Sequence, residues 1–160
     1  MNQSKMLQYQ TNLKIAIIGS RDFTDYSKID YIMAKIDRIL NFSDKTITVV
    51  SGGAPGADTL GEDWAKNNNH IPLIFEAEWD NLELKPCKVK IGRYGAYNAL
   101  AGFNRNNKII ENSDLVVAFW NGTSPGTADS IKKAKKQNKP VVIYDFINDN
   151  FYGDLLEVEQ

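Results

Sequence analysis

The feature that most constrains this chain is a regular alternation of short, β-branched apolar runs with longer amphipathic segments. Residues 13–18 (LKIAII) form a continuous apolar run that ends at Gly19, which is typical of a strand buried on both faces. Residues 27–40 place apolar side chains at helical spacing with charges between them, which predicts an amphipathic helix. The alternation continues, with strands predicted at 46–51, 71–76, 115–120 and 141–144 and helices at 58–68, 103–112 and 127–138.

Strands that alternate with helices in this way form βαβ units. These strands are too apolar for either face of the sheet to be exposed to solvent, so helices must pack on both faces. We therefore predict an α/β fold over residues 13–144, a Rossmann-like doubly wound domain with a mainly parallel five-stranded sheet and helices on both faces. Residues 1–12 are predicted to be a polar tail. Residues 79–102 show no clear periodicity of apolar residues and are predicted to be an irregular insertion that acts as a lid. Within this insertion, residues 88–99 are compatible with a β-hairpin.

Residues 145–160 are predicted to be an acidic tail that either packs as a short helix through Phe146, Phe151, Leu155 and Leu156 or mediates assembly. This tail carries five acids and no base, which leaves nineteen bases against fifteen acids in residues 1–144. This small excess of positive charge in residues 1–144 is compatible with a small anionic ligand. A random distribution of charged residues over the surface explains the excess equally well.

Composition excludes several classes of function. The net charge of −1 argues against nucleic-acid or lipid binding through global charge. Cys87 and His70 are the only residues of their types, so a disulfide within the chain, a cysteine-based zinc site and a His-pair site are excluded. No apolar run approaches the ~20 residues of a membrane span and the polar start does not resemble a signal peptide, from which we expect a cytoplasmic protein. We expect no cofactor or metal, and nothing in the sequence supports a need for Mg²⁺.

Small and polar residues are concentrated where the predicted strands end. In open parallel sheets, ligands bind beyond these carboxyl ends. Two glycine-rich turns each open a helix, whose free N–H groups and positive dipole end attract phosphate or carboxylate, and Arg21 offers a bidentate fork. Asp58 is interpreted either as a partner for ribose hydroxyls or as a helix N-cap. The predicted ligand-binding residues of these strand ends are Gly19, Ser20, Arg21, Ser51, Gly52, Gly53, Ala54, Gly56, Ala57, Asp58, Asn121, Gly122, Ser124, Gly126 and Thr127.

The common phosphate-binding signatures GxxxxGK[ST] and GxGxxG are absent, which disfavours standard P-loop ATP hydrolysis and the usual NAD mode. Trp79 and Trp120 follow the third and fourth predicted strands. They are interpreted first as core or loop-anchoring residues and second as walls for a base.

Four motifs, at 15–23 (IAIIGSRDF), 49–58 (VVSGGAPGAD), 101–106 (AGFNRN) and 114–127 (DLVVAFWNGTSPGT), resemble the YspA-like, cpYpsA-related branch of the SLOG superfamily. The resemblance spans about residues 13–144. It implies a Rossmann-like sheet whose Gly-rich loops bind nucleotides or their derivatives, a homo-oligomeric assembly, and ligand contacts at Arg105 and Asn106. Relatives include phosphoribohydrolases, DNA-uptake proteins, and proposed sensors of nucleotide signals in conflict systems and phages.

The phosphoribohydrolase relatives carry a PGGxGTxxE motif whose glutamate is implicated in cleavage of the glycosidic bond. Ser130 stands at that position here, and Asp129 lies one residue early, a rotation of ~100° on a helix. Asp58 and Glu62 lie four residues apart and would share a helix face. Asp58, Glu62 and Asp129 are therefore the candidate catalytic residues.

Three functions follow from these patterns. The favoured one is binding of a nucleotide or nucleotide-derived small molecule, by a sensor or sequestering protein. The alternative is a nucleoside-monophosphate phosphoribohydrolase. Single-stranded DNA binding, as in the DNA-uptake relatives, ranks third because the overall charge is acidic, so we do not expect a nucleic-acid partner.

Overall fold

The computed structural model describes residues 3–155, and side chains from residue 5 onward. This part of the chain contains five α-helices and eight strands. The helices are α1 (Gln3–Tyr9), α2 (Tyr26–Leu40), α3 (Ala57–Asn67), α4 (Ala101–Glu111) and α5 (Pro125–Lys136). The strands are β1 (Asn12–Gly19), β2 (Thr46–Ser51), β3 (Ile71–Ile74), β4 (Val89–Gly92), β5 (Gly95–Asn98), β6 (Leu115–Trp120), β7 (Val141–Asp145) and β8 (Asn150–Gly153).

Six of the strands form one sheet in the order β3-β2-β1-β6-β7-β8. All neighbours are parallel except β7 and β8. The predicted α/β class and mainly parallel sheet are therefore confirmed. β2 lies on one side of β1 and β6 lies on the other side, so the strand order reverses between β1 and β6. Such a reversal opens a crevice at the carboxyl ends of the two strands, where Gly19 is paired with Phe119.

Helices cover both faces of the sheet, because successive side chains along a strand point to opposite sides. On β1, Ile15 and Ile17 pack with the residues of α2 and α3, whereas Ala16 and Ile18 pack with those of α4 and α5. All four side chains are nearly or fully buried. The two-sided cover predicted from the apolar strands is thus confirmed.

The sheet has one strand more than the five predicted, and the extra strand comes from the acidic tail. The carboxylate of Asp145 accepts hydrogen bonds from the backbone N–H groups of Ile147 (3.0 Å) and Asn148 (3.1 Å), which reverses the chain. β8 then returns antiparallel to β7, with Phe151 opposite Tyr144. The predicted short helix is therefore wrong for residues 150–153. Phe146, Phe151 and Leu155 do pack on the core, and Leu156 lies outside the described residues.

At the other end of the chain, the predicted polar tail differs from the structure. Residues 3–9 form α1, and Leu7 is buried against the core. Asn12 already belongs to β1. Among the helices of residues 3–155, none combines the length and apolar character that a membrane span requires.

The expected hairpin is present within the insertion. β4 and β5 pair antiparallel as a two-stranded sheet of their own, separate from the main sheet. Asn98 fastens its base: the fully buried amide accepts from the N–H groups of Lys88 (3.2 Å) and Leu100 (3.0 Å) and donates to the carbonyl of Asn81 (3.3 Å).

Candidate functional site

A cavity of about 430 Å³ lies at the strand reversal, beyond the carboxyl ends of β1 and β6 and beside the first turns of α4 and α5. The insertion supplies one wall through Trp79 and Ala99. The cavity brings together eleven of the predicted ligand-binding residues: Gly19, Ser20, Arg21, Ala54, Asp58, Arg105, Asn106, Asn121, Ser124, Gly126 and Thr127.

The first turn of α5 opens onto this cavity. The helix begins at Pro125, and its first intrahelical bond runs from the N–H of Ala128 to the carbonyl of Ser124 (3.1 Å). The N–H groups of Gly126 and Thr127 come before this first donor and therefore have no acceptor within the helix. A Cβ built on Gly126 would meet no atom within 4 Å, so a ligand has room to approach the backbone there. A helix start with free N–H groups and open space beside them has the geometry that anion binding requires.

Asn121 shapes the loop that leads into α5. Its side-chain oxygen Oδ1 accepts from the N–H groups of Thr123 (2.9 Å) and Ser124 (2.8 Å), and its backbone N–H donates to the hydroxyl of Ser20 (3.1 Å). Trp120 donates from its indole nitrogen to the carbonyl of Ser124 (3.2 Å), so it anchors the loop, as its first interpretation held. Gly122, also predicted to contact the ligand, does not line the cavity and instead has the positive φ of +85° that this turn requires.

The turn after β2 behaves differently, because much of it is occupied by the protein itself. The N–H of Ala57 donates to the carbonyl of Ser20 (3.2 Å). A Cβ on Gly56 would lie 2.5 Å from the same carbonyl oxygen, so this glycine is needed for a backbone crossing. Five of the residues predicted to bind a ligand at this turn do not line the cavity: Ser51, Gly52, Gly53, Gly56 and Ala57.

Arg105 and Asp58 make up the charged floor of the site. Arg105 donates from Nη1 to the carbonyl of Gly52 (2.5 Å) and from Nε to the side chain of Asn106 (3.2 Å). Burial raises the pKa of Asp58 from its ordinary 3.8 to about 6, and the charge of Arg105 opposes that rise. Burial also lowers the pKa of Arg105, with Asp58 opposing and the nearby Arg21 adding to the shift. The carboxyl of Asp58 is thus partly protonated near pH 6, beside the guanidinium of Arg105.

The three candidate catalytic carboxyls are not brought together. Asp58 lines the cavity, but its Oδ2 accepts from the N–H of Ala54 (3.3 Å), and the N-cap of α3 is Gly56, so the N-cap interpretation of Asp58 is wrong. Glu62 accepts from the hydroxyl of Ser51 (3.1 Å), and Asp129 forms an ion pair with Lys133 (2.6 Å). Neither Glu62 nor Asp129 lines the cavity.

Three further side chains of the cavity are not among the predicted ligand-binding residues. Asp22 and Phe103 both line the cavity, and Trp79, whose second interpretation was a wall for a base, lines it as well. The two rings are about 40% exposed, with values of 39% for Phe103 and 41% for Trp79. Phe103 lies two residues before Arg105 in the AGFNRN motif, and its position in this motif could have indicated that it lies near the site. Within the described residues there is no group of side chains able to hold a metal ion.

Comparison with known proteins shows what part of this chain is similar to. Residues 13–81 match the YspA, cpYpsA-related SLOG family. The predicted resemblance is confirmed over this part of the chain, which contains the motifs at 15–23 and 49–58; the other two motifs lie beyond the matched SLOG region. The Gene 61 protein of Mycobacterium phage D29 is 27% identical over 136 residues, which cover 81% of this chain and 94% of that protein.

Three solved structures have a fold similar to that of this chain. DNA processing protein A from Helicobacter pylori, described for its single-stranded DNA binding mode, superposes with a TM-score of 0.56 at 24% identity, covering 86% of this chain and 67% of that one. DNA processing protein A from Streptococcus pneumoniae has a TM-score of 0.58 at 16% identity, covering 86% and 51%. The protein TM1055 has a TM-score of 0.53 at 19% identity, covering 81% and 72%. At these identities the likeness shows a common fold.

Proposed function

We propose that the cavity binds a nucleotide or nucleotide-derived small molecule, and that the protein acts as a sensor or sequestering protein for it. The observation that carries this proposal is the first turn of α5, whose N–H groups at Gly126 and Thr127 face a cavity that also holds Arg21 and Arg105. Backbone donors and a positive helix end bind phosphate, and the two guanidinium groups neutralise its charge.

The size and walls of the cavity support a ligand larger than phosphate alone. Its volume of about 430 Å³ lies within the range of roughly 300–1,000 Å³ that small-molecule sites occupy. Trp79 and Phe103 offer exposed rings on the side of the insertion, where a base would pack. A phosphate at α5 and a base against these rings together describe a mononucleotide or a molecule derived from one.

Binding without turnover is supported by the positions of the carboxyls. Hydrolysis of a glycosidic bond in general uses two carboxyl groups that flank the bond. Glu62 and Asp129 are held by Ser51 and Lys133 away from the cavity, which leaves Asp58 from the predicted set. The phosphoribohydrolase alternative would therefore rest on Asp58 together with Asp22.

Calorimetric titration with AMP, ADP, ADP-ribose and cyclic nucleotides, each against inorganic phosphate, tests the proposal. We expect at least one nucleotide to bind more tightly than phosphate, and Arg105→Lys to weaken it about tenfold because a lysine does not reproduce the guanidinium fork. Chromatography of the mixture after incubation separates the two classes: intact ligand supports a binding protein, and released base supports the hydrolase. The proposal is wrong if none of these compounds binds.

Tryptophan fluorescence provides a second readout from within the cavity. We expect the bound nucleotide to change the emission of Trp79, and Trp79→Phe to remove most of that change. Trp64→Phe is the matched control, because Trp64 is buried in the cluster on the α2 and α3 side of the sheet. A ligand-induced change that disappears in the Trp64 variant and persists in the Trp79 variant would contradict the assigned site.

A further inference from the structure

The charges of this chain are segregated in a way that its net charge conceals. Residues 84–110 carry six lysines and arginines and no acid, in a chain whose overall charge is −1. Arg105 faces the cavity and Lys108 forms an ion pair with Glu78 (3.5 Å). The other four cations lie on the β4–β5 hairpin and the segment that enters it, and all four are exposed: Lys85, Lys88, Lys90 and Arg93.

These four cations form no ion pair with a carboxylate of the described residues. Among the residues that the structure describes, none of the ion pairs involves a hairpin cation. The guanidinium of Arg93 instead lies over the ring of Tyr94, 5.7 Å from its centre, and that ring is 94% exposed. The tip of the hairpin therefore presents a cation and an aromatic face to solvent side by side.

The aromatic character continues along one face of the hairpin. Lys90 is paired directly with Tyr97 on the facing strand, so the two side chains are neighbours on the same face. The ring of Tyr97 packs edge-on against Trp79, with ring centres 6.5 Å apart. Lysine, tyrosine and tryptophan thus follow one another from the hairpin to the wall of the cavity. We call Lys88, Lys90, Arg93, Tyr94 and Tyr97 the hairpin strip.

We propose that the hairpin strip binds single-stranded nucleic acid. Cations that track a phosphate backbone, interleaved with exposed rings on which bases stack, are the combination that single strands require. A duplex keeps its bases stacked on each other and would leave the ring of Tyr94 without a partner. The absence of acids over 27 residues makes the strip complementary to a polyanion, which distinguishes it from a general apolar docking surface.

This surface lies apart from the cavity proposed for the small molecule. None of the five side chains of the hairpin strip lines the cavity, although Trp79 is shared between the cavity wall and the contact with Tyr97. The proposal for the cavity and the proposal for the hairpin strip can therefore be tested independently of each other. A variant of the strip is expected to keep nucleotide binding, and a variant of Arg105 is expected to keep the binding of a single strand.

Fluorescence anisotropy of a labelled oligothymidine strand of about 20 nucleotides, titrated at several salt concentrations, tests the strip. Each phosphate contact to a single strand contributes roughly 0.7 to the slope of log affinity against log salt. We expect the double variant Lys90→Ala with Arg93→Ala to lower that slope by about 1.4. The matched control is Lys135→Ala with Lys136→Ala, which removes the same charge from the exposed end of α5 and is expected to leave the slope nearly unchanged.

Stacking is tested at Tyr94. Alanine removes a ring on which a base stacks and phenylalanine keeps it, so Tyr94→Ala is expected to weaken binding about tenfold while Tyr94→Phe binds as the native chain does. Calorimetric titration with nucleotide and circular dichroism check that the variants remain folded.

Three results would overturn the proposal. One is the absence of binding to the strand at ~50 mM salt. Another is equal weakening by the hairpin and α5 double variants, which would assign the binding to unspecific charge. The third is a duplex of the same length binding as tightly as the single strand, since stacking on Tyr94 would then play no part.

Discussion

The side chains of Arg105 on α4 and Asp58 on α3 both lie against Gly52, in the turn after β2. A Cβ built on Gly52 would lie 2.7 Å from Arg105 Nη1 and 2.8 Å from Asp58 Oδ2, so the turn after β2 is pressed between the two charged groups. Arg105 also donates to the carbonyl of Gly52. Through Gly52, the turn after β2 is in contact with two helices that lie on opposite faces of the sheet. The charged side chains of Arg105 and Asp58 are therefore positioned at the cavity in the absence of a ligand.

The first prediction concerns the pH dependence of stability. Asp58 has a pKa of about 6 in the folded chain and 3.8 ordinarily, because it is buried. Between these values the folded chain holds a proton that the unfolded chain has released. The contribution of Asp58 to the free energy of unfolding therefore falls as pH rises from about 4 to about 7, by about 3 kcal/mol in all. Urea denaturation across this range measures it.

Asp58→Asn is the control for this prediction, since it keeps an oxygen that can accept from the N–H of Ala54 and removes the titration. As pH rises, the free energy of unfolding of the variant should increase relative to that of the native chain. Stability is a cleaner readout than binding here, because the phosphate of the ligand also titrates near pH 6. A difference that stays constant from pH 4 to pH 7 would contradict the shifted pKa.

The second prediction concerns the coupling between Arg105 and Asp58. At pH 8, Arg105→Ala leaves an ionised carboxylate buried without its cation and is expected to lower the free energy of unfolding by about 2 kcal/mol. In an Asp58→Asn background the same change should cost at least about 1 kcal/mol less. At pH 5, where Asp58 is mostly protonated, this coupling should shrink towards zero. Additive costs at pH 8 would show that the two groups do not interact.

The third prediction concerns the open turn of α5. Gly126→Leu places a side chain where a Cβ meets no atom, so the free energy of unfolding should stay within about 0.5 kcal/mol of the native value. The same side chain should block the approach of phosphate and reduce nucleotide affinity by at least about tenfold. Lys132→Leu, on the exposed part of the same helix, is the matched control for added apolar surface. Native affinity in Gly126→Leu would mean that phosphate binds elsewhere.

The fourth prediction concerns the base of the hairpin. Asn98→Ala leaves the N–H groups of Lys88 and Leu100 without their acceptor, at a cost of about 1–3 kcal/mol each. The hairpin should then open locally, and its amides should exchange faster with deuterium while those of the main sheet are unaffected. Asn107→Ala, a half-buried change on α4, is the control. Faster exchange throughout the chain would instead indicate global destabilisation.

The elements of this fold were predictable to the extent that they bury continuous apolar surface. The second and fourth predicted strands, 46–51 and 115–120, match β2 and β6 residue for residue. β8 was missed because its residues are mostly exposed and its position depends on the turn at Asp145, which brings the chain back beside β7. An exposed edge strand leaves little apolar pattern, so its partner decides its conformation.

The sequence by itself determined that helices would alternate with buried strands, and that small, polar and cationic residues would gather at the strand ends, because both follow from local spacing and composition. Only the tertiary structure decided which of the two glycine-rich turns stays open. The turn after β2 is closed by the carbonyl of Ser20 and the side chain of Arg105, which come from distant parts of the chain, whereas the first turn of α5 has free space above Gly126. Two similar glycine-rich turns differ in outcome because their hydrogen-bond donors and acceptors are satisfied by whichever groups the fold brings near them.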